Sequence, residues 1–151
     1  MNLSLKKFDM RSIKDDSVVV MIGKRNTGKS FLCQDLLYYK RDIPVGTVIS
    51  ATEVANSFYS KMVPPLFIHN QYQEAIVSKA MDRQKRVLEK VVAPEASSRR
   101  LDPRAFLILD DCLHDNSWTK STNIRSLFMN GRHYKMLFLV TMQYGLGVPP
   151  V

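Results

Sequence analysis

Cysteine is scarce in this chain of 151 residues. Its two cysteines, Cys33 and Cys112, stand far apart and form neither a metal-ligand spacing nor a disulfide framework. They read as small, partly buried thiols of a reducing compartment, so a cytosolic setting is expected. Long apolar runs are missing too. No stretch approaches the roughly 20 residues that a membrane-crossing helix needs, and no transmembrane segment is expected. The N-terminal residues Met1 to Lys7 lack the apolar core of a secretory signal. Neither an internal repeat nor a low-complexity tract is found, which argues against solenoids and flexible linkers. Acid is the minority charge: 14 Asp and Glu against 22 Lys and Arg leave a formal net charge of +8. An excess of this size suggests a polyanionic partner, with nucleic acid first, although a solvated basic surface has the same composition.

The chain is organised around one stretch. Val18 to Ile22 is an apolar, β-branched run suited to a strand buried in a parallel sheet. Gly23, Lys24, Arg25, Asn26, Thr27, Gly28, Lys29 and Ser30 then fit G-x-x-x-x-G-K-[ST], the phosphate-binding loop or Walker A pattern. Phe31, Leu32, Asp35, Leu36 and Tyr39 follow at helical spacing. Glycines let such a loop curl its N–H groups toward phosphate oxygens, and the helix N-terminus adds a positive dipole end. Lys29 is expected at the β- and γ-phosphates and the Ser30 hydroxyl on Mg²⁺. A nucleoside triphosphate, with ATP and Mg²⁺ as the pair, is therefore expected to bind at Gly23 to Phe31.

A second strand is expected at Thr47 to Thr52, then a short helix over Glu53 to Met62 and a short strand over Leu66 to His69. Gln71 to Val92 is the longest helical candidate, with Ile76, Ala80, Val87, Leu88 and Val91 inward and Lys79, Arg83, Lys85, Arg86 and Lys90 crowding the remainder. With Arg99 and Arg100 in the loop that follows, this basic helix could track DNA; a solvated helix face is the plainer reading. Residues 1–16 read as a lead-in lying against the domain edge, and 17–151 as a single core domain.

Phe106 to Asp111 is a hydrophobic strand ending in acid, the Walker B form, delivering its carboxylates at the strand end where α/β sheets place ligands. Asp110 is expected to hold Mg²⁺ together with Ser30, and Asp111 to orient or deprotonate the attacking water. Trp118 is expected to pack. A helix over Ser121 to Tyr134, capped by Ser121 or Thr122 and closed at Gly131, leads into a strand over Met136 to Thr141. Gln143 follows that strand and reads as a sensor of the γ-phosphate or of the attacking water.

Gly23 to Ser30, Phe106 to Asp111, Leu127 to His133 and Leu139 to Pro149 together resemble the genome-packaging ATPases of poxviruses and giant DNA viruses, in the FtsK–HerA group of P-loop motors. The Asn130-Gly-Arg-His133 segment leading into the Thr-x-Gln strand is the most specific part. The resemblance implies a RecA-like three-layer α/β sandwich around a mostly parallel sheet, with the sensor strand between the Walker A and Walker B strands. It also implies a homo-oligomeric ring that hydrolyses ATP to drive double-stranded DNA into a capsid, in the host cytoplasm at the virus factory or in the virion. A capsid or membrane protein at the packaging site is an implied partner. By position, Lys29, Asp111 and Gln143 are the implied catalytic residues. In many relatives Glu holds the base position, so Asp111 would act from one methylene further back.

The family pattern continues beyond Val151 with further strands and an arginine-bearing segment, so a C-terminally truncated motor domain is expected. A trans-acting arginine is either Arg132 or lies outside this sequence; as a plain alternative, Arg132 is a cation complementing a helix C-terminus. Against the translocase stand a small-molecule or nucleotide kinase with a P-loop and a non-catalytic nucleotide-dependent scaffold. The Thr-x-Gln strand favours a motor, and the second acid, Asp111, argues for hydrolysis.

Overall fold

The computed structural model describes residues 4–93, 101–112 and 116–144. Five strands form one sheet: β1 (Val18–Ile22), β2 (Val45–Ser50), β3 (Ile68–His69), β4 (Ala105–Asp110) and β5 (Met136–Met142), in the order β1-β5-β4-β2-β3 and parallel throughout. Parallel neighbours need crossover connections, and helices supply them: α1 (Lys29–Tyr39), a single turn α2 (Glu53–Asn56), α3 (Glu74–Val92) and α4 (Thr122–Asn130). The strand that leads into Gln143 lies between those bearing the Walker A and Walker B patterns, as the resemblance implied for the expected sensor strand.

Alternate residues of the central strands feed two cores, which is why these strands read as continuous apolar runs. Leu107 and Leu109 of β4 and Phe138 and Val140 of β5 join Val77 and Met81 of α3, Ile124 and Leu127 of α4, and Trp118 on one face. Ile108, Leu137 and Leu139 join Cys33, Leu36 and Leu37 of α1, with Tyr59, on the other. The result is a three-layer α/β sandwich. The inner strands are the most deeply buried, whereas β1 is paired on one side only among the described residues, and Ile22 at its end is 56% exposed.

Gly46 is dictated by a close approach: an added Cβ would stand 2.0 Å from the Phe106 ring, which lies across β2. Below the sheet, Arg104 donates to Asp102, Asp15 and Asp42, each at 2.7 Å at its shortest, and Lys40 meets Asp15 at 2.8 Å. This cluster ties the lead-in, whose 3-10 turn Met10–Ser12 packs on α1, to the start of β4. Its hydrogen bond with Lys40, then that with Arg104, holds Asp15 below the usual carboxylate range against the opposing effect of burial.

Several expected elements are corrected. The 53–62 segment is not one helix, because Ser57 turns left-handed (φ 45°) and a separate 3-10 turn covers Tyr59–Lys61. Of 66–69 only Ile68–His69 pairs, since a 3-10 turn beginning at Pro65 takes up the preceding residues. β2 starts at Val45, and α3 at Glu74 rather than Gln71. The buried line of α3 is Val77, Met81 and Gln84, with Val91 42% exposed. Gln84 is drawn inward because its amide donates to the Pro103 carbonyl, which offsets the cost of burying it. Ser121 is the cap of α4, accepting from Ile124 N–H. Gly131 is right-handed (φ −51°) and opens a 3-10 turn, Gly131–Tyr134; the left-handed residue that closes it is Lys135. Trp118 packs, as expected. Arg99 and Arg100 lie outside the described residues, as do 145–151.

Candidate nucleotide-binding site

Because every strand is parallel, the C-terminal ends of β1, β5, β4 and β2 share one edge of the sheet, and the predicted residues gather there. The loop after β1 begins where Gly23 N–H donates to Met142 O at 3.1 Å. Asn26 (φ 59°) and Gly28 (φ 86°) take left-handed conformations that curl the chain into the N-terminus of α1. At Gly28 that backbone would strain any residue with a Cβ. Thr27 Oγ1 donates to Lys24 O at 2.8 Å, and Lys29 Nζ donates to Gly23 O and Lys24 O at 2.7 and 2.8 Å. The ammonium is thus held across the loop, where a phosphate oxygen would compete for it.

At the end of β4, Asp110 is 1% exposed and accepts from three hydroxyls. Thr141 Oγ1 reaches Oδ1 at 2.6 Å, Tyr59 Oη reaches Oδ2 at 2.9 Å, and Ser30 Oγ stands 3.3 and 3.2 Å from the two oxygens. A buried carboxylate surrounded by neutral donors, with no cation among its partners in the described residues, is costly unless a positive ion completes it. Oxygen ligands of this kind suit Mg²⁺. Ser30 and Asp110 would hold it.

Asp111 adopts a left-handed backbone (φ 47°), unusual for a residue with a side chain. Its N–H donates to Thr141 Oγ1 at 2.9 Å, so one hydroxyl binds both acids. Gln143 Nε2 then donates to both carboxylate oxygens of Asp111, at 3.2 and 3.1 Å. The strand between the Walker A and Walker B strands therefore fixes the second acid twice.

Arg25 to Phe31, Asp110 and Asp111 line a cleft of about 660 Å³, with Thr52, Asn56 and Phe58 as a second stretch of its wall. The second wall is held by Glu53, whose buried carboxylate accepts from the N–H groups of Phe58, Tyr59 and Ser60 at 2.8 to 3.0 Å. Sequence reasoning missed this wall and assigned no role to Tyr59 or Thr141. Thr141 carried a signal, being the Thr of Thr-x-Gln. Tyr59 carried none, since its contact with Asp110 spans 51 positions.

Lys29, Ser30, Asp110, Asp111 and Gln143 are thus brought together. Arg132 is not: it lies exposed in the turn before β5, at the opposite edge of the sheet. At about 3.3 Å per residue, β5 alone puts roughly 20 Å between it and the cleft of its own chain. Of the basic residues of α3, Lys79, Lys85, Arg86 and Lys90 are exposed. Arg83 is half-buried, and desolvation lowers its pKa.

Comparison with known proteins accords with this geometry. The chain is 40% identical over 147 residues to an uncharacterized protein, L437, of Acanthamoeba polyphaga mimivirus, covering 97% of this chain and 52% of that one. It is 43% identical over 157 residues to uncharacterized protein 075L of Invertebrate iridescent virus 6, covering 97% and 58%. The chain thus spans about half the length of these viral relatives. Among solved structures, the conjugation coupling protein TcpA of pCW3, determined as a monomer with ATPγS, shares the fold at a TM-score of 0.56 and 11% identity, over 85% of this chain and 43% of that one. The poxvirus A32 protein family matches residues 5–148. The P-loop chain, with its resemblance to viral packaging ATPases, belongs to the poxvirus A32 protein family.

Proposed function

We propose that this chain is the ATP-hydrolysing core of a double-stranded DNA translocase that packages a viral genome. The observation that carries the reading is that the phosphate loop and Asp111 line one cleft, with Gln143 donating to the Asp111 carboxylate. The backbone N–H groups of residues 23–30 hold the phosphates, with Lys29 at the β- and γ-positions. Ser30 and Asp110 would hold Mg²⁺, which would supply charge neutralisation to the phosphates. Asp111 takes a proton from the attacking water as the water's oxygen bonds to the γ-phosphorus and the β–γ bridge breaks, leaving ADP and phosphate. Gln143 holds the Asp111 carboxylate and is placed to report whether a γ-phosphate is present.

In this reading the chain works as a homo-oligomeric ring around DNA, at the virus factory in the host cytoplasm or in the virion, recruited by a capsid or membrane protein of the packaging site. Arg132 serves as a finger only in trans, from a neighbouring subunit, because its own cleft is too distant. The +8 net charge and the exposed cations of α3 suit a polyanion threading the ring.

The deciding measurement is ATP turnover with and without double-stranded DNA, alongside nucleotide binding. Turnover stimulated by DNA and lost in Lys29→Ala supports the translocase. Turnover indifferent to DNA, with phosphoryl transfer to a small acceptor, would replace it with the kinase.

A further inference from the structure

We infer that Phe31 and Phe58 form the base-binding end of the cleft and that Asn56 selects adenine there. The inference rests on the nucleotide reading above and adds a ligand class to the wall that no motif marks. Lys29 and Asp111, which line the cleft, set the polarity of a bound triphosphate, with its γ-phosphate toward the two acids. The nucleoside must then leave the phosphate loop at the first turn of α1. Phe31, Thr52, Asn56 and Phe58 line the same cleft, with the rings of Phe31 and Phe58 in contact.

Phe31 is 70% exposed although it sits on the first turn of a packed helix. Its aromatic contact is the Phe58 ring, 5.6 Å away and nearly perpendicular. Phe58 is fixed from behind: Glu53 accepts from its N–H at 3.0 Å, and its ring packs edge-on against buried Tyr59 at 5.1 Å. One ring is therefore rigid and the other accessible, at the end of the cleft that the polarity leaves for the nucleoside. A planar base stacks on such a face whatever its identity, so stacking supplies affinity without selectivity. Selectivity needs a polar group on the base edge. Asn56 brings a carboxamide to the same wall, with the donor and acceptor that match adenine N7 and N6 and that meet a mismatched acceptor at guanine O6.

The test is equilibrium binding by calorimetry, in the presence of Mg²⁺, of ATP, GTP and inorganic tripolyphosphate to the chain and four variants. Phe31→Ala is on the surface and leaves the core intact; Phe58→Leu keeps bulk against Tyr59 while removing the π-face. Each is expected to weaken ATP about tenfold and to leave tripolyphosphate within about twofold. Asn56→Ala is expected to narrow the ATP preference over GTP; an unchanged preference would overturn the adenine assignment. Wild-type ATP affinity in both Phe variants, with ATP and tripolyphosphate both lost in Lys29→Ala, would overturn the base site and leave the nucleotide reading standing. Failure of the unaltered chain to bind either ligand would overturn both.

Discussion

Gln143 Nε2 lies 3.1 and 3.2 Å from the two carboxylate oxygens of Asp111, a two-pronged contact between the ends of neighbouring parallel strands. The acid assigned as general base is thereby aimed by the residue assigned as sensor. Asp111→Asn should bind nucleotide as before and lose turnover by a factor on the order of 10² to 10⁴, the range for removing a positioned base. Gln143→Ala should lose less and keep its nucleotide affinity. Single-turnover hydrolysis measured beside binding separates the two effects. Equal turnover in Asp111→Asn and the unaltered chain would remove Asp111 from the chemistry.

Tyr59 holds the other acid. Burial first, then the charges of Cys33 and Asp110, push its phenol far above its ordinary pKa, so it stays a donor at any working pH. Tyr59→Phe deletes one hydrogen bond to a buried carboxylate and should cost about 1.5 to 3 kcal/mol of stability. It should also weaken Mn²⁺ binding to the nucleotide complex, as read by electron paramagnetic resonance. Unaltered Mn²⁺ affinity would confine Tyr59 to a packing role.

The ion cluster below the sheet predicts an acid limb. Lys40 and then Arg104 hold Asp15 below its unfolded pKa, and Arg104 does the same for Asp102. A depressed carboxylate contributes stability that is present above its unfolded pKa near 3.9 and lost as pH falls through the lower folded value. Arg104→Met should therefore flatten the fall in melting temperature below about pH 4. An identical acid limb in that variant would assign the effect to other carboxylates.

Both thiols should be inert in the folded chain. Burial, followed by the charge of Asp110, pushes Cys33 and Cys112 up to about 12, so almost no thiolate exists at neutral pH. Labelling by a thiol-reactive disulfide should track unfolding, and saturating nucleotide should slow it. Prompt labelling at pH 7 would show that a thiol opens locally.

If α3 faces DNA, reversing the charges of Lys79, Arg86 and Lys90 should weaken binding and shallow its salt dependence by about one logarithmic unit of slope per lost phosphate contact. An unchanged slope would make these residues a solvated face.

Legibility followed sequence distance. Walker A is contiguous, and strand, loop and helix follow one another, so Gly23 to Phe31 were readable as a unit. Asp110, Asp111 and Gln143 were readable because each ends an apolar run, and parallel strands bring such ends to one edge. The Glu53 to Tyr59 wall was not, because its role arises from contacts that a linear pattern does not encode. Glu53 resembles an ordinary helix-start acid until its carboxylate is seen to accept three N–H groups from the next turn. The α3 face was misjudged for a similar reason. Gln84 is polar by type and yet buried, because the carbonyl of Pro103 waits for it across the fold.

The strand order also carries a timetable. β5, the last strand in the chain among those described, is the one inserted between β1 and β4, which share no pairing of their own. A nascent chain that has emerged only as far as Tyr134 carries the phosphate loop and both acids without the strand that pairs with both β1 and β4. Docking of Met136–Met142 completes the sheet and brings Thr141 and Gln143 to the two acids. Until then the apolar strands of the growing polypeptide are left without their central neighbour and need shelter.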